Sequence, residues 1–411
     1  MAADAASTAR AAADFAARTA YGRLLAALAR RTRDLPSAED ALADAFAKAI
    51  EAWPRTGVPD APEAWLLTTA RRRLVDLARR TAVRAKAQPE LVVLLDRLWE
   101  AADTGALPDD RLALMIACAH PEIDEALHTP LMLQAVLGLD AARIGSAFLV
   151  SPAAMGQRLS RGKAKIRAAG VSFEIPDAGA LPGRLEPVLQ ALYAAYTAGF
   201  DLVGEEPGKA RDLSKETLYL AGLLAQLAPR AAEAHGLFAL ISLCEARAPA
   251  RRGAGGAFIP LADQDTGRWD AALIDQGETA LRQALCLASP GRFALEAAIQ
   301  SVHAERRKTG ATNWRAAAAL YDQLVETGAG LGAHIARACA HGEAFGPDAA
   351  LDQLDGLALD AGDHQPYHAA RARWLAAADR TADARAAYDR AMALTTDPAV
   401  RAFLRERATQ L

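Results

Sequence analysis

Two clusters of basic side chains are the groups in this sequence best suited to bind another molecule. The first has seven cations within sixteen residues, interrupted by Asp76 alone: Arg71, Arg72, Arg73, Arg79, Arg80, Arg84 and Lys86. The second has six cations and no acid: Arg143, Arg158, Arg161, Lys163, Lys165 and Arg167. A guanidinium presents a rigid fork of donors that matches phosphate oxygens. Such dense clusters favour nucleic-acid binding over the alternative of a merely solvated helix face.

An enzymatic interpretation would rest on Asp263 and Asp265, two carboxylates that are close enough to act as an acid–base or metal-binding pair. No histidine or third acid stands at ligand spacing around them, and the sequence has no glycine-rich phosphate-binding motif. His364 and His368 are four residues apart, but they lack a carboxylate partner and suit cap and surface positions better than a zinc site. We therefore predict no enzymatic activity, no catalytic residue, no metal and no cofactor.

The length and composition predict a multidomain helical protein. A chain of 411 residues exceeds one compact domain and suggests two or three. Its 52% hydrophobic content excludes a wholly disordered protein, and only 6% of its residues are aromatic. Alanine, leucine, arginine and glutamate favour helices, whereas β-branched and aromatic strand formers are scarce. The fold class is therefore predicted to be all-α.

The cysteines and the N-terminus indicate a cytoplasmic protein. Four cysteines lie far apart, with no CxxC pair and no metal-ligand spacing: Cys118, Cys244, Cys286 and Cys339. This pattern is typical of reduced, buried thiols. No signal peptide is visible in the sequence, and it contains no run of about 18 apolar residues that could span a membrane. We therefore expect no membrane partner.

The first basic cluster lies on the last of three predicted helices. Apolar residues recur at helical spacing over residues 15–33. A second, amphipathic helix over residues 38–53 begins after Ser37 and carries acids in its first turn, at the positive end of the helix dipole. The third helix begins near Glu63 and carries the arginines. Its dense positive charge is therefore expected on one side of a small helical domain.

The second basic cluster belongs to a predicted helix pair. A short helix over residues 141–149 is followed by a tight connection, and Ser151 is placed to cap a basic helix that begins at Pro152. Two short helices joined by such a turn, the second of them basic, are typical of a helix-turn-helix that places its second helix in the major groove. An ordinary helical hairpin is the alternative. The absence of acids on the second helix favours DNA.

Both segments resemble parts of one family. The stretches AEDALADAFAKAIEAW and PEAWLLTTARRRLVDLARR resemble region 2 of the extracytoplasmic-function (ECF) sigma factors of the sigma-70 family. The predicted helix-turn-helix stands about 55 residues further on, where region 4 of these factors lies. The resemblance implies a bacterial transcription initiation factor that binds core RNA polymerase, through its β′ clamp and β flap, and promoter DNA.

The resemblance also implies a role for individual residues. Contact with core polymerase is expected from the second helix, through Glu39, Asp40, Asp44, Phe46 and Lys48. Contact with the −10 element is expected from the third helix, through Trp65, Arg71, Arg72, Arg73, Asp76, Arg79 and Arg80. Contact with the −35 element is expected from the helix-turn-helix, through Ser151, Ala154, Gln157, Arg158, Arg161, Lys163 and Lys165. Of the last group, Gln157, Arg158 and Arg161 are placed to reach base edges.

The remaining chain predicts helical repeats. Small and large residues recur at intervals of 37, 33 and 34 residues, beginning at Ala280, Ala317, Ala350 and Ala384. A period near 34 is typical of a tetratricopeptide-type array. The whole arrangement resembles an ECF subgroup with a tetratricopeptide-like C-terminal extension, which implies regulation in cis and a protein partner for the repeats. The loop residues Asp263, Asp265, Arg268 and Trp269 are predicted to order their loop, with a regulatory contact to the sigma core or to polymerase as our hypothesis.

The predicted organisation has five parts. They are a flexible tail (1–14), sigma region 2 (15–86), a linker (87–108), sigma region 4 (109–174) and the helical extension (175–411). Two other interpretations stay open at this point. A conventional regulator would use the helix-turn-helix alone, and an interaction scaffold would use the repeats without acting on polymerase.

Overall fold

The structure is a computed structural model that describes residues 2–84, 109–148, 150–171, 173, 175–176, 179–202 and 207–411. The predicted linker over 87–108 lies outside these residues. The described elements are helices, with one isolated bridge between Arg252 and Phe258, so the predicted all-α fold is confirmed. The chain divides into two compact units, Met1–Leu220 and Ala221–Leu411.

Three helices form the beginning of the first unit: α1 (Ala2–Thr32), α2 (Leu35–Thr56) and α3 (Pro62–Arg84). Helices α1 and α2 pack along each other, and α3 packs against both. Apolar side chains at helical spacing supply the core between them, including Leu24, Leu28, Leu42, Trp53 and Leu66. Burial of these faces, rather than helix propensity alone, stabilises the three-helix arrangement.

Six further helices follow: α4 (Arg111–Cys118), α5 (Glu125–Ala135), α6 (Ala141–Ala147), α7 (Pro152–Ala168), α8 (Pro182–Leu202) and α9 (Pro207–Leu227). Helix α8 packs on α4 and α5. A buried cation joins α4 to α9, because Arg111 is only 4% exposed and pairs with Asp109 and Glu216. The compact unit therefore extends to residue 220, beyond the predicted domain boundary at 174–175.

The second unit consists of packed helices. They are α10 (Ala232–Glu245), α11 (Ala271–Leu287), α12 (Arg292–Ala304), α13 (Arg306–Thr309), α14 (Trp314–Glu326), α15 (Leu331–Phe345), α16 (Pro347–Gly356), α17 (Ala358–Ala361), α18 (Gln365–Ala377), α19 (Thr381–Leu394) and α20 (Pro398–Thr409). Helices that are neighbours in the sequence pack together, as α14 with α15 and α18 with α19 do. The small residues that mark the predicted repeats, Ala280, Ala317, Ala350 and Ala384, are all buried on these helices.

A glycine in α15 allows α18 to approach closely. A Cβ at Gly342 would lie 2.6 Å from the indole of Trp374, which is itself buried. We expect Gly342→Ala to lower the free energy of unfolding of this unit by about 2 kcal/mol, because overpacking forces its neighbours apart. Hydrogen exchange of peptides from α15 and α18 in the full chain measures the effect. Gly332→Ala, in the same helix but with no described atom within 4 Å of the new Cβ, is the control. Equal exchange in the two variants would contradict the prediction.

Several details differ from the sequence-based expectations. Residues 2–14, predicted as a flexible tail, belong to α1, where Ala9 and Ala13 are buried. Helix α2 begins before Ser37, because Asp34 acts as its N-cap and accepts a hydrogen bond from the Ser37 N–H at 3.2 Å. Cys286 is exposed, so the prediction of buried thiols is wrong at that position.

Candidate nucleic-acid interface

Helix α2 has one buried face and one polar face. Its buried side is formed by small and aliphatic residues such as Ala38, Leu42 and Ala45, which follow helical spacing. Asp34 caps its N-terminus and keeps its carboxylate close to the positive end of the helix dipole. The side chains predicted to bind polymerase therefore stand on a helix that is fixed at its start and along its inner face.

Ionic and aromatic contacts hold α3 against the other two helices. The Arg73 Nε donates to the Asp44 carboxylate at 2.6 Å, and Arg23 of α1 donates to Glu63 at 2.9 Å. The rings of Trp53 and Trp65 meet edge to face at 5.5 Å. Two predicted site residues, Asp44 and Arg73, thus neutralise each other at the contact between α2 and α3.

The other predicted −10 residues are distributed over α3. Arg72, Asp76 and Arg79 are exposed at intervals of four and three residues, on one side of α3, while Trp65 and Arg71 are half-buried. The side chain of Arg80 lies outside the described residues. The exposed stripe through Arg72 is therefore the part of the arginine cluster that is open to a nucleic acid.

Helices α6 and α7 are joined by a tight turn. Ser151 caps α7, as predicted, and its Oγ accepts from the Ala154 N–H at 3.3 Å. A Cβ at Gly145 would lie 2.6 Å from the Val150 carbonyl oxygen, so the turn packs closely on α6. Asp140 caps α6 by accepting from two backbone N–H groups, at 3.0 and 2.9 Å. The two helices are thus locked at a fixed angle.

Helix α7 has a buried apolar face and an exposed basic one. Met155, Leu159 and Ile166 are buried and attach α7 to its neighbours. The opposite side contains most of the predicted −35 residues. Ser151, Gln157, Arg158, Arg161 and Lys165 are exposed, whereas Ala154 and Lys163 are half-buried. This basic face can approach DNA phosphates without any rearrangement of α7 itself.

Lys163 has a different environment from the other residues predicted to contact the −35 element. Its Nζ donates to the Glu39 carboxylate of α2 at 2.7 Å, and the two side chains are only 13% and 17% exposed. Burial raises the pKa of Glu39, and the nearby Lys163 charge only partly offsets the rise. A second pair lies beside it, because Arg167 Nε donates to Asp34 at 2.7 Å. A predicted polymerase-binding residue and a predicted DNA-binding residue therefore contact each other.

The remaining predicted polymerase-binding residues are more open. Asp40 and Lys48 are exposed, and Phe46 is half-buried. Together with Glu39 and Asp44, they line the outer side of α2. This surface is mixed in charge and differs from the basic surfaces of α3 and α7, which suits a protein partner rather than a nucleic acid.

The loop between α10 and α11 is tied down inside the second unit. Arg306 donates to the carbonyl oxygens of Leu261, Ala262 and Gln264 at 2.7–2.9 Å, and its guanidinium lies 5.1 Å from the ring of buried Trp269. Asp265 accepts from the Gly267 N–H at 2.8 Å, within its own turn.

The two acidic residues of that loop do not converge on one point. Asp263 pairs with Arg407 of α20 at 3.3 Å, and Arg268 donates to the Arg252 carbonyl oxygen. Among the described residues, no group of three or more His, Cys, Asp or Glu side chains is arranged to hold a metal ion. The carboxylates instead have separate structural partners.

Comparison with known proteins identifies the N-terminal helices. Residues 18–84, which comprise the second half of α1 and all of α2 and α3, match sigma-70 region 2. This part of the chain is a sigma-70 region 2 domain. Residues 184–285 match a family of unknown function (DUF6596). An uncharacterized protein of Rhizobium meliloti (strain 1021) is 35% identical to this chain over 403 residues. The matched region covers 97% of this chain and 95% of that protein. No solved structure matches.

The match to sigma-70 region 2 has direct consequences. It points to a transcription factor rather than an enzyme, and to interaction with RNA polymerase core and promoter DNA. No helix in the described part of the chain is long and apolar enough to cross a membrane. The ion pair between Asp34, at the start of α2, and Arg167 of α7 could not be predicted from the sequence. The two residues lie 133 positions apart, and neither has a local signal for the contact.

Proposed function

We propose that the chain is an ECF-type sigma factor that binds core RNA polymerase and directs transcription from specific promoters. The observation that carries the proposal is the match to sigma-70 region 2, on helices whose outer sides offer one mixed-charge surface and one arginine-rich surface. Helix α2 would bind the β′ clamp of polymerase through Glu39, Asp40, Asp44, Phe46 and Lys48. Helix α3 would contact the −10 element.

Helices α6 and α7 would serve as the region 4 helix-turn-helix. The exposed face of α7 supports this assignment, because Gln157, Arg158 and Arg161 project from one side of a capped and well-packed helix. An arginine can bind guanine through two hydrogen bonds, and glutamine can bind adenine in the same way. In this role the helix pair would read the −35 element and contact the β flap.

The helices of the second unit would regulate this activity in cis. The alternation of buried small residues with short helix pairs supports a tetratricopeptide-like extension, whose surface would bind a protein partner. The loop with Asp263, Asp265, Arg268 and Trp269 would supply a regulatory contact. We place the whole process in the bacterial cytoplasm, where polymerase and promoter DNA are found.

Co-elution with bacterial core RNA polymerase in size-exclusion chromatography tests polymerase binding. We expect the full chain to co-elute and Asp40→Arg to elute separately, because the exposed Asp40 carboxylate lies on the proposed contact surface. Asp348→Arg, a matched charge reversal in the first turn of α16, should behave as the unmodified chain does. If the unmodified chain fails to co-elute, the sigma-factor proposal is wrong, and the repeats would be the functional part.

A further inference from the structure

One loop segment of the second unit contacts the helix at the C-terminal end of the chain. This segment, residues 251–264 (the clasp), follows α10. Arg252 donates to the Asp397 carboxylate, at the start of α20, at 2.6 Å and across 145 positions of the sequence. The ring of Phe258 meets the ring of Phe403 edge to face, with the ring centroids 5.4 Å apart. The clasp therefore makes specific side-chain contacts with α20.

The clasp is also held near both of its ends. Near its start, Arg251 donates to the Cys244 carbonyl oxygen of α10 at 2.6 Å. Near its end, Asp263 pairs with Arg407 of α20 at 3.3 Å. Arg306 of α13 donates to three carbonyl oxygens of this end at 2.7–2.9 Å. Because the acceptors of Arg306 are main-chain atoms, it can bind any segment that presents its backbone in the same way.

Buried polar atoms around the clasp have no partner. Arg247, Gln264 and Trp269 are only 9%, 8% and 3% exposed. Within the described residues, the Arg247 Nε, the Gln264 Oε1 and the Trp269 Nε1 form no hydrogen bond. A buried donor or acceptor without a partner costs free energy that a more complementary ligand recovers. The clasp therefore satisfies its surroundings incompletely, which favours its exchange for another segment.

The groups of α20 that receive the clasp have a defined order. Asp397 offers a carboxylate, Phe403 an apolar ring and Arg407 a cation. They face a cation, an aromatic ring and a carboxylate that follow each other in the same order along the clasp. A segment of another protein with this order of groups would find a complementary partner for each of them.

We propose that the clasp is an intramolecular ligand, and that Arg306 and α20 form a binding site for a loop segment of a protein partner. The segment recognised carries an arginine or lysine, an aromatic side chain and a carboxylate, in the order of Arg252, Phe258 and Asp263. This site deepens the proposed function, on which it rests, by naming where a protein partner of the second unit binds and which chemistry it presents.

Binding of a partner at this site requires release of the clasp. Because the clasp belongs to the same chain, its effective concentration at α20 is high, and it excludes a free segment of similar intrinsic affinity. The apparent affinity for a free segment is reduced to the extent that the site is occupied. A variant that weakens the clasp and leaves α20 and Arg306 unchanged should therefore bind a free segment more tightly.

A fluorescein-labelled peptide of residues 250–265 is the probe for the site, and fluorescence anisotropy measures its binding to the full chain. We expect Arg252→Glu and Phe258→Ala, each of which removes one contact between the clasp and α20, to bind the peptide about tenfold more tightly than the unmodified chain does. Arg385→Glu, a charge reversal at an exposed position of α19, is the matched control and should not change the affinity. Equal affinity in all four chains, or no binding to any of them, would overturn the site.

Hydrogen exchange of peptides from α20 separates release of the clasp from misfolding. Both clasp variants should exchange faster over residues 398–409, because α20 loses a contact, and an excess of the free peptide should slow this exchange again. Peptides from α14 and α15 should exchange as they do in the unmodified chain. Faster exchange that the free peptide does not reverse, or that extends to α14 and α15, would contradict the proposed site.

The order of the contacts is tested by exchanging charges between the peptide and the chain. In the Phe258→Ala chain, the further change Arg407→Glu should weaken peptide binding about threefold, since the Asp263–Arg407 pair is exposed. A peptide that carries Asp263→Arg should bind this double variant with the original affinity. If the altered peptide restores nothing, the assigned order of contacts is wrong.

Failure of this site and failure of the proposed function are distinguishable, because the peptide measurements need neither polymerase nor DNA. A chain that directs transcription, but whose clasp variants bind the peptide no more tightly, overturns the site alone. A chain that binds the peptide as expected and never associates with polymerase overturns the sigma-factor proposal alone. A dimer of either clasp variant in sedimentation equilibrium would assign the surface to a second copy of this chain and overturn the assignment to a different protein.

Discussion

Replacing Arg158 and Arg161 together with alanine is expected to lower the affinity of the chain–polymerase complex for promoter DNA by about 10²-fold. Both guanidinium groups are exposed on the same face of α7, which Met155 and Leu159 anchor from the other side. Each arginine that contacts a base edge contributes about 1–3 kcal/mol, so the loss of two amounts to about two orders of magnitude. Binding to a promoter selected from a DNA library, at one fixed salt concentration, measures the effect.

The matched control for this prediction is Arg385→Ala. Arg385 is an exposed arginine on α19 in the second unit, so its removal lowers the charge of the chain without touching α7. Promoter affinity should change less than twofold in this variant, because distant exposed charges are screened. If Arg158→Ala/Arg161→Ala and Arg385→Ala lower affinity equally, the assignment of α7 as a DNA-reading helix is wrong.

Arg111→Met is expected to lower the free energy of unfolding of the first unit by about 3 kcal/mol. Arg111 is 4% exposed, pairs with both Asp109 and Glu216, and lies over the ring of Tyr219 at 5.4 Å. Its removal leaves two carboxylates facing each other with no cation between them. Burial raises the pKa of Asp109, but the hydrogen bonds and charge of Arg111 outweigh this effect and hold the pKa below its usual value.

The pH dependence of the stability of Arg111→Met tests the role of Arg111. A carboxyl whose pKa is lowered by folding stabilises the native state above its unfolded pKa, and this contribution disappears as the pH falls through the folded pKa. Thermal unfolding of Arg111→Met at neutral pH should therefore show the full decrease in the free energy of unfolding. Under acidic conditions the decrease should be smaller. Arg55→Met, at an exposed position in α2, should have little effect at either pH. An equal loss in both variants would contradict the role of Arg111.

The helices that carry the candidate site could be predicted from the sequence because their signals are local. The acidic first turn and apolar spacing of α2, the arginines of α3 and the Ser151-Pro152 start of α7 all lie within a few turns of the structures they specify. Helix α2 starts earlier than the Ser37 signal predicts, because Asp34 caps the helix. The helical state of residues 2–14 cannot be predicted in this way, because an alanine-rich segment shows little amphipathic pattern.

The long-range contacts between these helices could not be predicted from the sequence. The Glu39–Lys163 pair bridges 124 positions, and each side chain also fits a simpler role on an exposed helix surface. A Cβ on Gly22 of α1 would lie 2.1 Å from the Val136 carbonyl oxygen, a close approach that a single glycine in a helix does not reveal. Similarly, the integration of residues up to 220 into the first unit depends on Glu216 meeting Arg111, across more than a hundred residues.

Run-off transcription with bacterial core RNA polymerase, the full chain and a library of promoter DNA tests whether the chain is a sigma factor. We expect transcripts that begin at defined sites only when the chain is present. These transcripts should be lost with Arg158→Ala/Arg161→Ala but kept with Arg385→Ala. Absence of chain-dependent transcripts, together with a failure to bind core polymerase, would contradict the assignment as a sigma factor.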